Sequence, residues 1–592
     1  MAPLLARKTW SAGAFLALAA AVRGASLDDV CTPEYAAAAL PPTGFYDYVG
    51  LTVNADSVTA NPVTNYTVGP TDSVFFPAAT FDYCNVTFTY SHTGRNDSVL
   101  LTLWLPTPDE FQNRWLSTGG GGYAINSGTG SLPGGVQYGA VAGQTDGGFG
   151  VDQSNAIDTF LVENGTVDWQ DVYMFGYQAI RELTLLGRNF TANFFETNDT
   201  KVYTYYQGCS EGGREGWSQV QRFSDAFDGA AIGAPAFRFA FQQVQHLYSG
   251  VVEKTLDYYP PPCELEAIMN ATILACDGLD GRLDGVVART DLCTANFNIN
   301  ATLGLPYSCA ASSGGGGFGG AGGGATTTPA QVGNVTAEAI AVAQTILDGL
   351  HDDEGNRVYF SYTPTSSWDD AETTYNADTG EWEATVSGLG GGFVHVLLQL
   401  QEGDNLASLD GITYSTLRDW IYQGWNEYQD SLMTNWPDLT PYKGAGGKVI
   451  HFHGESDFSI PAASSVRYWN SVREVLFPHL SYNDSVSAIN DFYKLYLIPG
   501  AGHCDTNAYE PNGPFPQTNL AVLIDWVENG VQPVTLNGTV LQGDNLGANQ
   551  QICAFPLRPY WANNGTTLQC QYDQASIDSW NYDIDAFALP VY

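Results

Sequence analysis

The chain runs to 592 residues, 44% of them hydrophobic and 13% aromatic, long enough for two domains or for one large domain carrying a big insertion. Only 14% of the residues are charged, and acids outnumber bases so heavily that the formal net charge is -41. A field of that sign repels phosphate backbones and anionic lipid, which excludes nucleic-acid and membrane-surface partners and suits solubility in an acidic medium.

At the N-terminus Arg7 and Lys8 precede the apolar run AGAFLALAAAV at residues 12–22, and Val22 and Gly24 supply small residues for a cleavage after Gly24. The run is shorter than the ~20 residues a spanning helix needs, so residues 1–24 read as a secretory signal peptide and the mature chain as extracellular. About a dozen Asn-x-Ser/Thr sequons, among them Asn65, Asn85, Asn96, Asn164, Asn189, Asn334, Asn483 and Asn537, fit a secreted glycoprotein. The ten cysteines then read as disulfides.

A strand-like WLS at residues 115–117 runs into Thr118-Gly119-Gly120-Gly121-Gly122-Tyr123-Ala124. This glycine run lacks the lysine of a phosphate loop and the acid of a dinucleotide fingerprint, which favours a loop of free amides for an oxyanion. Residues 168–190 place Val172, Phe175, Ala179, Leu183 and Leu186 at helical spacing. KVYTYYQG at 201–208 predicts a strand, and Trp217, Val220 and Phe223 predict a helix over 212–223. Between the two lies Gly208-Cys209-Ser210-Glu211-Gly212, the G-x-S-x-G pattern that lifts a serine hydroxyl above a sheet. AAIGAPAF at 230–237 reads as a further buried strand, and the alternation suggests a parallel sheet with helical crossovers.

ACDGLDGRLDGVVA at 275–288 spaces Asp277, Asp280 and Asp284 between glycines, hard oxygen ligands on a tight loop of the kind calcium uses. It is no EF-hand, because Ala288 stands where a bidentate Glu belongs, and a polar turn without metal is the alternative. SSGGGGFGGAGGGATTTPA at 312–330 is a flexible surface loop by composition. Two late strands follow, Val449 to Phe452 and Leu495 to Ile498, each ending in a loop, the first bearing Asp457 and the second His503. Open α/β sheets build their sites at that strand edge.

The order Ser210, Asp457, His503 is that of α/β-hydrolases. A serine hydroxyl is too weak an acid to attack an ester unaided, so His503 would take its proton and return it to the leaving alcohol, with Asp457 fixing the imidazole tautomer. Asp505 and Glu455 lie close to the same loops, but Asp457 occupies the position after the strand where the acid is expected. The amide of Glu211 would supply one oxyanion donor and the glycine run, at Gly122, the other. Cys209 directly precedes Ser210 and Cys504 directly follows His503. If the two are bonded, their Cα atoms lie ~4.4–6.8 Å apart and bring nucleophile and base within mutual reach.

Gly-Cys-Ser-Glu-Gly-Gly at 208–213, the Asp457 loop within HGESDFSIP, and Gly-Ala-Gly-His-Cys at 500–504 together resemble the tannase/feruloyl esterase family of secreted esterases, which pair a cysteine with both serine and histidine. The resemblance covers the mature chain. It implies an α/β-hydrolase core with a lid inserted between nucleophile and acid, here 247 positions apart. The corresponding divisions are a core first part at 25–236, a lid at 237–439 holding both the calcium loop and the Gly-rich loop, and a core second part at 440–592. It also implies a structural calcium bound by the Asp277, Asp280 and Asp284 carboxylates, with main-chain oxygens of Arg282 and Val286. A Cys276–Cys293 disulfide would close that loop. Proximity pairs Cys31 with Cys84 and Cys553 with Cys570, and elimination leaves Cys263 with Cys309.

The implied activity is that of a secreted serine esterase cleaving phenolic-acid esters through an acyl-enzyme, without organic cofactor. The long glycine-rich lid and GCSEGGREGWSQVQRF look more like the branch that hydrolyses galloyl esters and tannins than the feruloyl branch, which is the alternative. A catalytically inactive, calcium-bearing glycoprotein that binds polyphenols or sugars is the reading from a different class, and the intact Ser-Asp-His set argues against it.

Overall fold

The computed structural model describes residues 24–41, 50–150, 153, 156–314 and 326–592. Most of the signal segment and the middle of the Gly-rich loop, residues 315–325, lie outside the described residues. The ends of that loop meet as short paired strands, Ser312–Gly314 against Thr326–Thr328.

Nine strands form the central sheet: β1 (Leu51–Val68), β2 (Ala79–His92), β3 (Val99–Pro106), β4 (Arg114–Thr118), β5 (Ala140–Thr145), β6 (Tyr203–Cys209), β7 (Gly229–Gly233), β8 (Lys448–Gly454) and β9 (Tyr493–Ile498). Their order across the sheet is β1-β2-β3-β5-β4-β6-β7-β8-β9. The six strands from β5 to β9 are parallel, as the strand and helix alternation predicts. The first three run antiparallel, and β3 meets β5 antiparallel as well, so the sheet is mixed and not wholly parallel. Short connections without a helix join β1 to β2 and β2 to β3, and such links return a strand antiparallel to its predecessor.

The parallel strands are buried on both sides, with runs such as Tyr493–Ile498 wholly enclosed. Helix α1 (Ala179–Phe194) packs on one face through Leu183, Leu186 and Phe190, all fully buried. Its approach is backbone-close: a side chain on Gly187 would collide with the Trp115 ring on β4. The helix predicted over 168–190 is present, but it is interrupted by a π-helical turn at Met174–Gln178. Helix α2 (Glu211–Arg222) follows β6 directly and sends Trp217 among His451, Tyr468 and Tyr493, with ring centroids 4.8–5.6 Å apart. These edge contacts tie α2 to β8 and β9, the strands that deliver the later loops. Between β7 and β8 the chain leaves the sheet for a largely helical insertion that includes Pro262–Cys276, Ala337–Asp348 and Tyr414–Tyr428. It returns through β8.

Candidate active site

Ser210 sits on a sharp turn between β6 and α2, with φ 62° and ψ -123°. A non-glycine residue in that region is strained by about 1–3 kcal/mol, and the surrounding packing holds it there. A Cβ on Gly208 would meet the Gly212 carbonyl oxygen at 2.7 Å, and one on Gly212 would meet the Gly120 oxygen at 2.8 Å, so the turn closes only with glycine on both sides. The Ser210 amide donates to the Gly233 carbonyl at the end of β7, which ties the elbow to the sheet.

Three loops converge on this hydroxyl. His503 Nε2 lies 2.8 Å from Ser210 Oγ, and His503 Nδ1 lies 2.8 Å from Asp457 Oδ2. Asp457 is 1% exposed. Its Oδ1 accepts the amides of Ser459 and Ile460, each at 2.8 Å, while Oδ2 also meets His453 Nε2 at 3.1 Å. Burial by itself would push this carboxyl up, but the charge on His503 and the hydrogen bonds from both imidazoles outweigh it and hold the group well below the usual carboxylate range. The other two acids are engaged elsewhere. Glu455 accepts from Arg558 at 2.7 Å and Thr290 at 2.6 Å, and the Asp505 carboxylate is used locally by Thr506.

Cys209 and Cys504 are disulfide-bonded with Cα atoms 6.0 Å apart. The remaining bridges are Cys31–Cys84, Cys263–Cys309, Cys276–Cys293 and Cys553–Cys570.

The glycine run lies against the elbow, where the Gly212 amide donates to the Gly120 carbonyl at 3.0 Å. Two of its amides are already used, Gly120 by Glu215 Oε2 and Gly121 by the Ala124 carbonyl. The Gly122 amide has no acceptor among the described residues, and the Glu211 amide, at the first turn of α2, has no intrahelical one. Gly119, Gly120, Gly121, Ser210 and His503 line a cavity of about 310 Å³ whose apolar wall is Phe75 and Phe76. A second, larger cavity of about 510 Å³, walled by Tyr362, Trp580 and Tyr582, contains none of these groups.

A serine held against an imidazole, beside unpaired amides and an open cavity, is an arrangement for acyl transfer. Residues 84–575 match the family described as "Tannase and feruloyl esterase". The chain belongs to that family. Members of the family are carboxylic ester hydrolases, and this chain is one of them. It is 49% identical to a protein named tannase from Aspergillus oryzae, with 98% of this chain and 99% of that one covered. The solved tannin acyl hydrolase from Aspergillus niger superposes with a TM-score of 0.91 at 60% identity, over 96% of this chain and 99% of that one. A probable feruloyl esterase from Arthroderma benhamiae is 30% identical over 84% of this chain and 88% of its own length.

Several side-chain contacts at this family member's site leave no mark in sequence motifs. Glu211, Arg214 and Glu215 are buried together beside the elbow. Arg214 pairs with Glu211 and donates to the Phe175 and Gly176 carbonyls in the π-helical turn. Burial pushes Glu211 up to about 7 against the pull of Arg214, and burial with the neighbouring Glu211 charge raises Glu215 much farther. The hydrogen bonds that Glu215 Oε2 accepts, from the Gly120 amide at 3.2 Å and Tyr206 Oη at 3.2 Å, pull the other way and do not offset that rise.

The insertion also reaches the acid loop. Thr363 Oγ1 donates to the Glu455 carbonyl at 2.6 Å, Thr365 Oγ1 meets Ser456 Oγ at 2.8 Å, and Ser366 Oγ donates to the Asp457 carbonyl at 3.0 Å. Tyr362 Oη adds a bond to the Ser459 carbonyl at 3.3 Å.

The Asp277–Val286 loop turns at Gly281 and Gly285, with φ 93° and 77°. Burial first, then the charges of Asp284 and Asp277, push the Asp280 carboxyl up to about 7. Asp284 is raised by burial too, and its buried Oδ1 has no hydrogen-bond partner. Arg282 Nε pairs with the other oxygen at 3.0 Å. Asp280, Asp284 and Val286 line part of a cavity of about 20 Å³, space for about one water-sized particle. Among the described residues the group of metal-ligating side chains gathered within 4.8 Å is Cys263, Glu266 and Cys309, whose sulfurs are disulfide-bonded. The three aspartates do not all draw that close. Three carboxylates on one tight loop, one of them paired with Arg282, still offer the hard oxygen donors that a divalent cation takes.

Proposed function

We propose that this chain is a serine esterase of galloyl esters, the chemistry of hydrolysable tannins, working through an acyl-enzyme on Ser210. The observation that carries the reading is the 2.8 Å contact of Ser210 Oγ with His503 Nε2, whose other nitrogen is held by Asp457. The gallate preference draws its support from the likeness to the two proteins named tannase and tannin acyl hydrolase.

In this mechanism Ser210 Oγ bonds to the ester carbonyl carbon as its proton passes to His503 Nε2. The negative charge moves to the carbonyl oxygen, where the Glu211 and Gly122 amides serve as donors. The C–O bond to the alcohol then breaks and the alcohol leaves with the proton from Nε2. Water repeats the sequence on the acyl-enzyme, releasing the acid and restoring Ser210. Asp457 remains ionised throughout and stabilises the imidazolium.

A calcium ion belongs to the same proposal, held by Asp277, Asp280 and Asp284 with main-chain oxygens of Arg282 and Val286, where it supplies charge compensation to a loop closed by Cys276–Cys293. Secretion is also part of it, supported by the signal-like N-terminus and by the absence of free cysteines among the described residues.

The test is kcat/KM for methyl gallate and methyl ferulate with the native chain and Ser210→Ala. A pocket that pairs the three galloyl hydroxyls rejects an analogue lacking them by up to ~10⁴–10⁵. A ratio favouring ferulate replaces the substrate reading with the feruloyl one, and activity in Ser210→Ala removes the mechanism.

A further inference from the structure

Strand β8 carries His451 and His453 two residues apart and therefore on one face, and both side chains are fully buried. His453 Nε2 lies 3.1 Å from Asp457 Oδ2 and 2.9 Å from the Ile460 carbonyl oxygen. Both partners accept only, so this nitrogen carries the hydrogen. In a neutral imidazole Nδ1 is then a bare acceptor, and its neighbour at 2.6 Å, Ser465 Oγ, must donate to it. The same oxygen is 2.8 Å from His451 Nε2, which donates in turn, and His451 Nδ1 accepts from Tyr493 Oη at 2.8 Å. Burial, with His453 nearby, pushes the His451 pKa well below its usual value, which keeps that ring neutral. The partners therefore assign one direction to the whole row. Every donor in Tyr493, His451, Ser465 and His453 points toward Asp457.

We infer that His453, oriented by Ser465 and His451 behind it, is a positioning residue that holds Asp457 Oδ2 where it receives the Nδ1–H of His503. The inference rests on the esterase reading above. Asp457 Oδ1 is fixed by two amides, whereas Oδ2 is shared between His453 Nε2 and His503 Nδ1. Removing His453 leaves a buried carboxylate oxygen with one donor, and the carboxylate plane free to follow whichever partner remains. A hydrogen bond to a charged group accounts for roughly 10- to 100-fold in a rate when it is present in the transition state. Ser465 matters because its hydroxyl is the donor to the bare Nδ1 at 2.6 Å. Without it that buried nitrogen is left unpaired and the ring loses the contact that fixes its orientation toward Asp457.

The experiment measures kcat, KM for methyl gallate and melting temperature in Ser465→Ala, His453→Leu, His453→Gln and Ser210→Ala. Expected are losses in kcat of roughly 10- to 100-fold for Ser465→Ala and His453→Leu with KM unchanged, and substantial recovery in His453→Gln, whose amide can donate to Oδ2. If His453→Leu fails to fold, Ser465→Ala and His453→Gln decide. Native kcat in Ser465→Ala and His453→Leu overturns the inference, as does a His453→Gln enzyme no better than the Leu variant. Turnover by Ser210→Ala would instead overturn the esterase reading beneath it.

Discussion

Cys209 and Cys504 stand 295 positions apart in the chain and 6.0 Å apart at Cα, and the residues they flank, Ser210 and His503, meet across 2.8 Å. The bridge fixes the separation of two loops that leave different strands. Its joint replacement by alanine is expected to lower kcat/KM by about 10²-fold, the effect of an ~1 Å displacement of reacting groups. Removal of Cys553–Cys570, which flanks none of these residues, is expected to cost far less. Steady-state kinetics of the two double variants decides, and equal losses would show that the bridge does not position the pair.

Asp457→Asn should reduce kcat by about 10⁴-fold while the fold survives, because the amide presents the wrong partner to His503. Asp505→Asn should be mild, since among the described residues that carboxylate serves Thr506 only. Circular dichroism with ester kinetics checks both, and a reversed ranking would move the acid to Asp505.

The buried acids by α2 predict a stability that favours acid. A carboxyl whose folded pKa stands above its unfolded value near 4.3 binds more protons in the native state, so stability is lost as pH rises through that interval. Burial raises Glu211 to about 7 and Glu215 farther, which places the decline between about pH 4 and 7 and beyond. Glu215→Gln keeps acceptors for the Gly120 amide but cannot ionise. Its melting temperature should fall less steeply than the native value between pH 5 and 8, and an unchanged slope would mean that Glu215 does not titrate there.

Chelation should lower the melting temperature, and calcium should restore it, because a ligand bound only to the folded state stabilises it by mass action. The Asp277→Asn, Asp280→Asn double variant should lose that response. A native protein whose elemental analysis shows no calcium, and whose melt ignores chelator, would leave the loop as a polar turn.

The parts readable from sequence are those whose determinants are local. Strand, turn and helix around Ser210 appear as a run of β-formers, two glycines and a helical apolar period, and Asp457 and His503 follow strand cores directly. The antiparallel β1 to β3 carry no such signal, because short links without helices join them and the alternation of strand and helix that marks the parallel strands is missing there. His453 lies in a readable motif, yet its role depends on Ser465, 12 positions away, while His451 depends on Tyr493, 42 positions away. Nothing in HFHGESD announces those partners. Glu215 is similarly silent, an acid in a helix that would ordinarily face water and is instead turned inward by the crowding of Tyr206 and Gly120.

The four side chains at Tyr362, Thr363, Thr365 and Ser366 bear on how relatives with different substrate tastes can exchange parts. They grip residues 455–459 from outside the sheet, three through main-chain carbonyls and Thr365 through the Ser456 hydroxyl, so a swap of this part of the insertion also alters the loop presenting the acid. A chimera cut without regard to that grip would change chemistry together with selectivity. Transplants that carry residues 362–366 and 455–459 as one matched set keep the two properties separable.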